Sequence, residues 1–275
     1  MTTPYQQPGA PAASYASPIP IRRATLGDAL ASEWTKIRSV RSTMWTLGVM
    51  IALLVGIGLL IAVGVSASEA DPENDEILIL GFFGVLLGSV CVITLGVLTI
   101  ASEYSTGMIR TTLTACPSRA RVLTAKAIVY FLLVFAVTAV TTTTVAAFQV
   151  AMLGDGWPSA GTWFRATIGV SLYIAFLGLL SLAVGSLIRH SAGAITVMIG
   201  VVLLPLVLAM FMFSESLNSV REFLFEYSIP SQLSVLYDNS VVESGPQGWE
   251  PLWIMIIVAA VALGGAYAAL NARDV

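Results

Sequence analysis

Charge is what this chain has least of. Only 11% of its 275 residues are Asp, Glu, Lys or Arg, against about 25% in soluble domains. Six long runs contain none at all, at about 44–66, 77–101, 127–153, 166–188, 192–213 and 252–270. With 57% hydrophobic residues and a mean hydropathy of +0.87, a soluble globular domain is excluded. A helix rises about 1.5 Å per residue, so each run is long enough for a hydrocarbon core of about 30 Å. The sequence therefore predicts an all-α membrane protein with six transmembrane helices.

Other scarcities narrow the chemistry. The single histidine, His190, sits beside Arg189 at a predicted membrane boundary without a serine partner, which argues against an intramembrane hydrolase. One His and two separated cysteines make no metal set. Cys91 falls inside the second run and Cys116 in a loop after it, so neither is placed for a disulfide. Both lysines follow residues other than glycine, Thr35 before Lys36 and Ala125 before Lys126, and the phosphate-binding loop is absent. No cofactor is expected on this chain and no enzymatic activity; if ATP drives it, the nucleotide binds another polypeptide. The charge-free runs disfavour proton-driven transport, which usually keeps an ionisable group in the bundle, but leave open sodium coupling through hydroxyls and carbonyls. Residues 1–20 hold five prolines and no charge, neither a signal peptide nor a folded segment. They are expected to form a disordered cytoplasmic tail.

The charges that are present are sorted by side. With the N-terminus in the cytoplasm, 11 of the 13 Lys and Arg fall on that side and only Arg165 and Arg221 outside, while 12 of the 16 acids fall outside. The positive-inside rule then puts both termini in the cytoplasm. The net charge of −3 hides a basic inner face and an acidic outer one.

Before the first run, Leu26, Leu30, Trp34, Ile37, Val40 and Met44 recur at three- and four-residue spacing, the pattern of an amphipathic helix lying at the inner membrane surface over 21–43. Thr25 and Asp28 read as its capping box; the alternative is a plain extension of the first span. The transmembrane domain then occupies 44–275. After the second run, Ser102 can cap a short helix, Met108, Ile109 and Leu113 give it an apolar face, and Pro117 stops it. Apolar side chains projected into the cytoplasm gain little unless a partner groove buries them, at about 2 kcal/mol per large side chain. The long outer connection 214–251 carries Val220, Phe223, Leu224 and Tyr227 at the spacing of another short amphipathic helix, either a gate or a surface-lying connector.

Within the third run Thr138, Thr141, Thr142, Thr143 and Thr144 form a hydroxyl band, with Gln149 further on. Threonine hydroxyls can bond back to their own helix or pack helices together; the other reading is a substrate path through Thr138, Thr141, Thr142 and Gln149. Gly84 with Gly88, and Ala260, Gly264 and Ala268, are small-residue seams for close helix approach. Pro205 in the fifth run is placed to bend it.

The stretch Glu103-Tyr-Ser-Thr-Gly107-Met-Ile-Arg110-Thr-Thr-Leu113-Thr-Ala-Cys-Pro117-Ser-Arg119, with Lys126 at the head of the next run, resembles the inner loop of type-2 ABC exporter permeases, especially actinobacterial ones. Ser32-Glu33-Trp34-Thr35-Lys36 before the first run, the six-run layout and the ending Asn271-Ala-Arg273-Asp274 are similar to that family too. The resemblance implies a bacterial plasma-membrane permease subunit that pairs with a second copy or a paralogue and with two separate ATPase subunits, which bind ATP and magnesium. It identifies the loop as a coupling helix, with Glu103, Gly107, Met108, Ile109, Arg110 and Leu113 as coupling residues. It also implies export of a hydrophobic or amphipathic cargo, such as a drug, peptide antibiotic or lipid. The inner loop has one acid where many relatives have two. The rivals are an ATP-independent secondary transporter or channel and a non-transporting membrane scaffold subunit; nothing points to nucleic acid.

Overall fold

A computed structural model describes residues 24–68, 74, 76–240 and 245–272. The expected tail, most of the first outer loop and the last three residues lie outside the described residues.

The first helix, α1 (Leu26–Ser39), opens on the predicted box: the Thr25 backbone N–H donates to Asp28 Oδ2 at 2.8 Å, and the Asp28 N–H donates to Thr25 Oγ1 at 3.3 Å. Extended backbone at Val40 ends it, so it is a separate element and not an extension of the first span. Six helices are long and apolar enough to cross a membrane. They are α2 (Arg41–Ala67), α3 (Phe82–Ser105, led in by a 3-10 turn over Ile77–Gly81), α5 (Arg119–Leu153), the unit of α6 (Ala160–Phe164), a π-helical turn (Arg165–Gly169) and α7 (Val170–Ile188), then α8 (Ser191–Phe211) and α11 (Glu250–Ala272). Between the second and third spans lies α4 (Met108–Ala115), and after the fifth lie α9 (Asn218–Glu226) and α10 (Ile229–Val235). The described residues contain no strand, and the chain is an all-α membrane protein.

The fourth span is the axis of the bundle. Its most apolar window is 78% buried, against 22% for α2, α8 and α11, and α7 packs against α3, α5, α8 and α11. Close approach of α3 and α7 depends on glycine: a Cβ on Gly96 would lie 2.8 Å from the Gly178 carbonyl oxygen and 3.1 Å from Tyr130 Oη. Tyr130 itself is fully buried and donates to the Val92 carbonyl at 2.6 Å. The Gly84 and Gly88 seam meets Leu54 of α2 as expected, whereas Gly264 has no neighbour within 4 Å and Ala260 and Ala268 are exposed. The seam on α11 therefore faces away from this chain's own bundle. The fifth span runs helically through Pro205.

At the other end of the bundle from α4 the connection 214–251 divides in two. The expected amphipathic helix is α9, which buries no side chain. Its successor α10 buries every residue, including Ser231, Gln232 and Ser234. Burial of so polar a turn is tolerable because its groups are satisfied locally: Ser228 Oγ donates to Ser231 Oγ at 2.9 Å, Ser234 Oγ to the Ser231 carbonyl at 2.8 Å, and Gln232 Nε2 to the Tyr227 carbonyl at 2.9 Å. Close by in the chain, Arg165 Nη2 pairs with Asp238 Oδ2 at 2.7 Å.

Gly96→Ala is expected to cost about 1–3 kcal/mol by overpacking the α3–α7 contact, while Gly264→Ala stays within about 0.5 kcal/mol. Unfolding of the purified protein in mixed micelles measures both.

Candidate coupling segment and its ionic anchor

The segment after α3 is built as a reversal followed by a two-turn helix. Thr106 ends α3, and Gly107 at φ 73° occupies the left-handed region that glycine enters without steric cost, which turns the chain into α4. Cys116 in extended backbone ends α4, Pro117 follows, and Ser118 caps α5 by accepting from the Arg121 N–H at 3.4 Å. The strongest amphipathic asymmetry falls on what each face touches. Ile109 (6% exposed) and Cys116 are buried against the chain and Leu113 is half-buried, while Met108 (43% exposed), Arg110, Thr111 and Thr114 face outward.

Beneath α4 lies a cluster of four charges. Lys126 of α5 donates to Glu33 Oε2 of α1 at 2.6 Å and to Glu103 Oε1 of α3 at 2.9 Å. Lys36 of α1 donates to Glu33 Oε1 at 2.7 Å, to the same Glu103 oxygen at 2.9 Å and to Thr112 Oγ1 of α4 at 3.3 Å. Glu33, Glu103 and Lys126 are 3%, 2% and 2% exposed. Two carboxylates and two ammonium groups leave the cluster neutral, which is the condition for holding charge away from water. The spans drawn from the sequence stop just short of Glu103 and Lys126. The observed helices run on, α3 to Ser105 and α5 back to Arg119, so the membrane-spanning helices do carry ionisable groups, paired at their ends.

Burial alone would lower the pKa of Lys36, but the adjoining Glu103 and Glu33 carboxylates outweigh it and hold the group above its ordinary value of 10.5. Two further arginines fasten the same end. Arg121 Nη1 donates to the Ala24 carbonyl at 2.6 Å ahead of α1, and Arg119 Nη1 to the Leu270 carbonyl at 2.7 Å near the end of α11, where helix carbonyls lack intrahelical partners. Arg189, between α7 and α8, lies 4.8 Å from the centre of the Tyr104 ring, a cation–π distance.

Of the six expected coupling residues, Met108, Arg110 and part of Leu113 form the outward face, Gly107 makes the turn, and Glu103 and Ile109 point inward. Glu103 Oε1 accepts from Lys36 and Lys126 within this chain. Glu33, Lys36 and Lys126 were not singled out as site residues; their only sequence signal is opposite charge at the heads of apolar helices. The hydroxyl band lies elsewhere, inside the bundle. Thr141 and Thr142 donate to their own helix, at Val137 and at Thr138, the latter at 2.8 Å, and Thr142 also meets Ser171 Oγ at 3.2 Å. Gln149 Nε2 donates to the Gly58 carbonyl at 3.1 Å. Thr138 is fully buried, and its hydroxyl has no hydrogen-bond partner among the described residues. Thr142 and Gln149 border a cavity of about 10 Å³, near the smallest that holds one water.

A bundle of six helices long and apolar enough to cross a membrane, with a short helix hung from one end, defines a multi-pass membrane protein. The chain belongs to the family described as ABC-2 family transporter protein, whose profile matches residues 29–214. That match takes in most of α1, the ionic cluster, α4 and the first five spans, and makes the chain a membrane subunit of an ABC transporter. No curated protein matches it.

Lys126→Met, which leaves two buried carboxylates to one lysine, is expected to cost about 3–5 kcal/mol, read by unfolding in mixed micelles. A lysine whose pKa is raised on folding stabilises fully below its unfolded value and loses that contribution as pH climbs through the raised one. Protease protection of α1 is therefore expected to be flat from pH 7 to 9 and to fall only above the ordinary lysine value of 10.5.

Proposed function

We propose that this chain is the permease of an ATP-driven exporter, with α4 as the coupling helix that receives the stroke of a separate ATPase. The single observation that carries the reading is the exposed part of α4, Met108 at 43% and exposed Arg110, Thr111 and Thr114, on a helix fastened to the chain by buried Ile109 and by the Lys36 to Thr112 hydrogen bond. An apolar side chain and a guanidinium on a rigidly seated short helix suit a partner groove, the methionine supplying buried area and the arginine orientation. Glu103 and Ile109 then act as anchors, and Gly107 as the turn that sets the angle of α4.

In this reading α4 and both termini are cytoplasmic, following the charge asymmetry, and the ATP and magnesium belong to two ATPase subunits. A second permease copy or a paralogue completes the transporter. The exposed apolar faces of α2, α8 and α11 and the unpartnered seam of Ala260, Gly264 and Ala268 support a further helix packing there, small residues being the usual means of close approach in lipid. Cargo of hydrophobic or amphipathic character, a drug, peptide antibiotic or lipid, fits span interiors whose only charges are paired. The hydroxyl band packs α5 in the single chain, and a role in the path would require its helices to part during transport.

Met108→Asp is expected to weaken co-purification with the ATPase about thirtyfold, as the loss of roughly 2 kcal/mol implies, and to abolish ATP-dependent transport by the reconstituted complex. Leu113→Asp gives a smaller loss. Unchanged association and transport in both would remove α4 as the docking element.

A further inference from the structure

We propose that α9 is an interfacial membrane helix, held by its apolar face in the hydrocarbon edge of the bilayer leaflet at the end of the bundle opposite α4, with its polar face in water. The helix has 9 residues, Asn218–Glu226, about 13 Å at 1.5 Å per residue, far short of a hydrocarbon core of about 30 Å. It cannot cross. It also buries no side chain, although it packs on α8.

Both faces of α9 are open, and they differ. Leu217 at the N-cap, Val220, Phe223 and Tyr227 at the C-cap are 40%, 47%, 58% and 44% exposed, and at 3.6 residues per turn they share one stripe. The Phe223 and Tyr227 rings lie 4.8 Å apart between centroids. On the opposite side Asn218 and Glu222 are exposed, and Arg221, Phe225 and Glu226 are half-buried. A helix surrounded by water turns such a stripe against its own protein, whereas one at the boundary of two solvents shows its apolar side to hydrocarbon and its polar side to water. The arrangement of α9 is the second. Glu215, Glu222 and Glu226 outnumber Arg221 in this stretch, so apolar area holds the helix and attraction to anionic head groups does not.

Its depth follows from its neighbours. Tyr227 shares the wall of a groove of about 370 Å³ with Trp253, Ile254 and Ile257 of α11. That span begins at Glu250, so Trp253 and Ile257 lie about 5 and 10 Å along it, the depth at which interfacial helices seat their apolar face. The other end of α9 is reached by a short connection from Phe211, the last residue of the fifth span. Both ends of α9 are thus tied to the ends of spans, and Tyr227 and Trp253 are the aromatic types enriched at a membrane–water boundary. The Tyr227 carbonyl accepts from Gln232 Nε2 of α10 at 2.9 Å. The seat of α9 in lipid therefore sets where the buried α10 begins.

The test is nitroxide accessibility in the full chain, reconstituted in phosphatidylcholine nanodiscs with Cys91 and Cys116 changed to alanine and one label at a time through Asn218→Cys, Val220→Cys, Glu222→Cys or Phe223→Cys. The ratio of oxygen to nickel-chelate access is expected to be about tenfold higher at Val220 and Phe223 than at Asn218 and Glu222, and to stay the same when phosphatidylglycerol is added. Nickel access at Val220 and Phe223 equal to that at the polar positions would place the stripe in water and overturn the proposal. Low access of both reagents would place the stripe under protein, a second copy included, and overturn it as well; so would seating that appears only with phosphatidylglycerol. A photoreactive benzophenone amino acid in place of Phe223, in a chain that keeps both cysteines, decides the same question. Cross-links to phospholipid are expected, and cross-links to another polypeptide, or none to lipid, would contradict the lipid seat. None of these readouts involves an ATPase, so the result is independent of the coupling role of α4.

Discussion

Two glutamates and one lysine placed away from water, with a second, half-buried lysine beside them, set the constraint on which this end of the protein depends. Taking an ion out of water costs several kcal/mol even after relaxation, and the cost is met here only if Glu33, Lys36, Glu103 and Lys126 arrive together. They come from three helices, so α1, the end of the second span and the start of the third are brought to one geometry or to none. Such a cluster contributes little net stability compared with an apolar core of the same volume. Its worth is in position: an amphipathic helix held only by apolar contacts could slide, whereas Glu33 has one place to go.

Helix α4, the proposed coupling helix, inherits that geometry. It leaves α3 two residues after Glu103, turns at Gly107 and receives a hydrogen bond from Lys36 through Thr112. A push on its outer face is therefore delivered to α1, α3 and α5 at the same point. From there α3 meets α7 where Gly96 lies against the Gly178 carbonyl, with the Tyr130 side chain of α5 packed against both glycines. Close-packed interiors of this kind transmit strain, which is the mechanical property the proposed coupling role requires.

The membrane class and the number of spans were legible because runs free of charge have no other stable home in a chain this apolar. The start of α1 was legible from Thr25 and Asp28 and the end of α4 from Pro117, all local signals, but Ser102, expected to cap the short helix, lies inside α3 and donates to Leu98, and α4 begins after Gly107. The ionic cluster was not legible. Its pairs join residues 23, 67 and 93 positions apart, and a search for uncharged runs ends each span at the first charge, leaving out Glu103 and Lys126 by construction. For the same reason Ile109 read as part of an outward face: helical spacing shows which residues share a side, not what that side meets. The segment Ile229-Pro-Ser-Gln-Leu-Ser-Val235 reads as a polar connector, yet it is buried because its hydroxyls and amide bond within their own turn.

The central claim is that Glu33 and Lys126 hold α1 to the bundle as a coupled pair. A double-mutant cycle with Glu33→Gln and Lys126→Gln, read by hydrogen exchange of the α1 amides, tests it most directly. The account predicts that either single change releases α1 and that the double variant is less exposed than the sum of the two, with a coupling of at least about 1 kcal/mol. Additive effects of the two substitutions would contradict it.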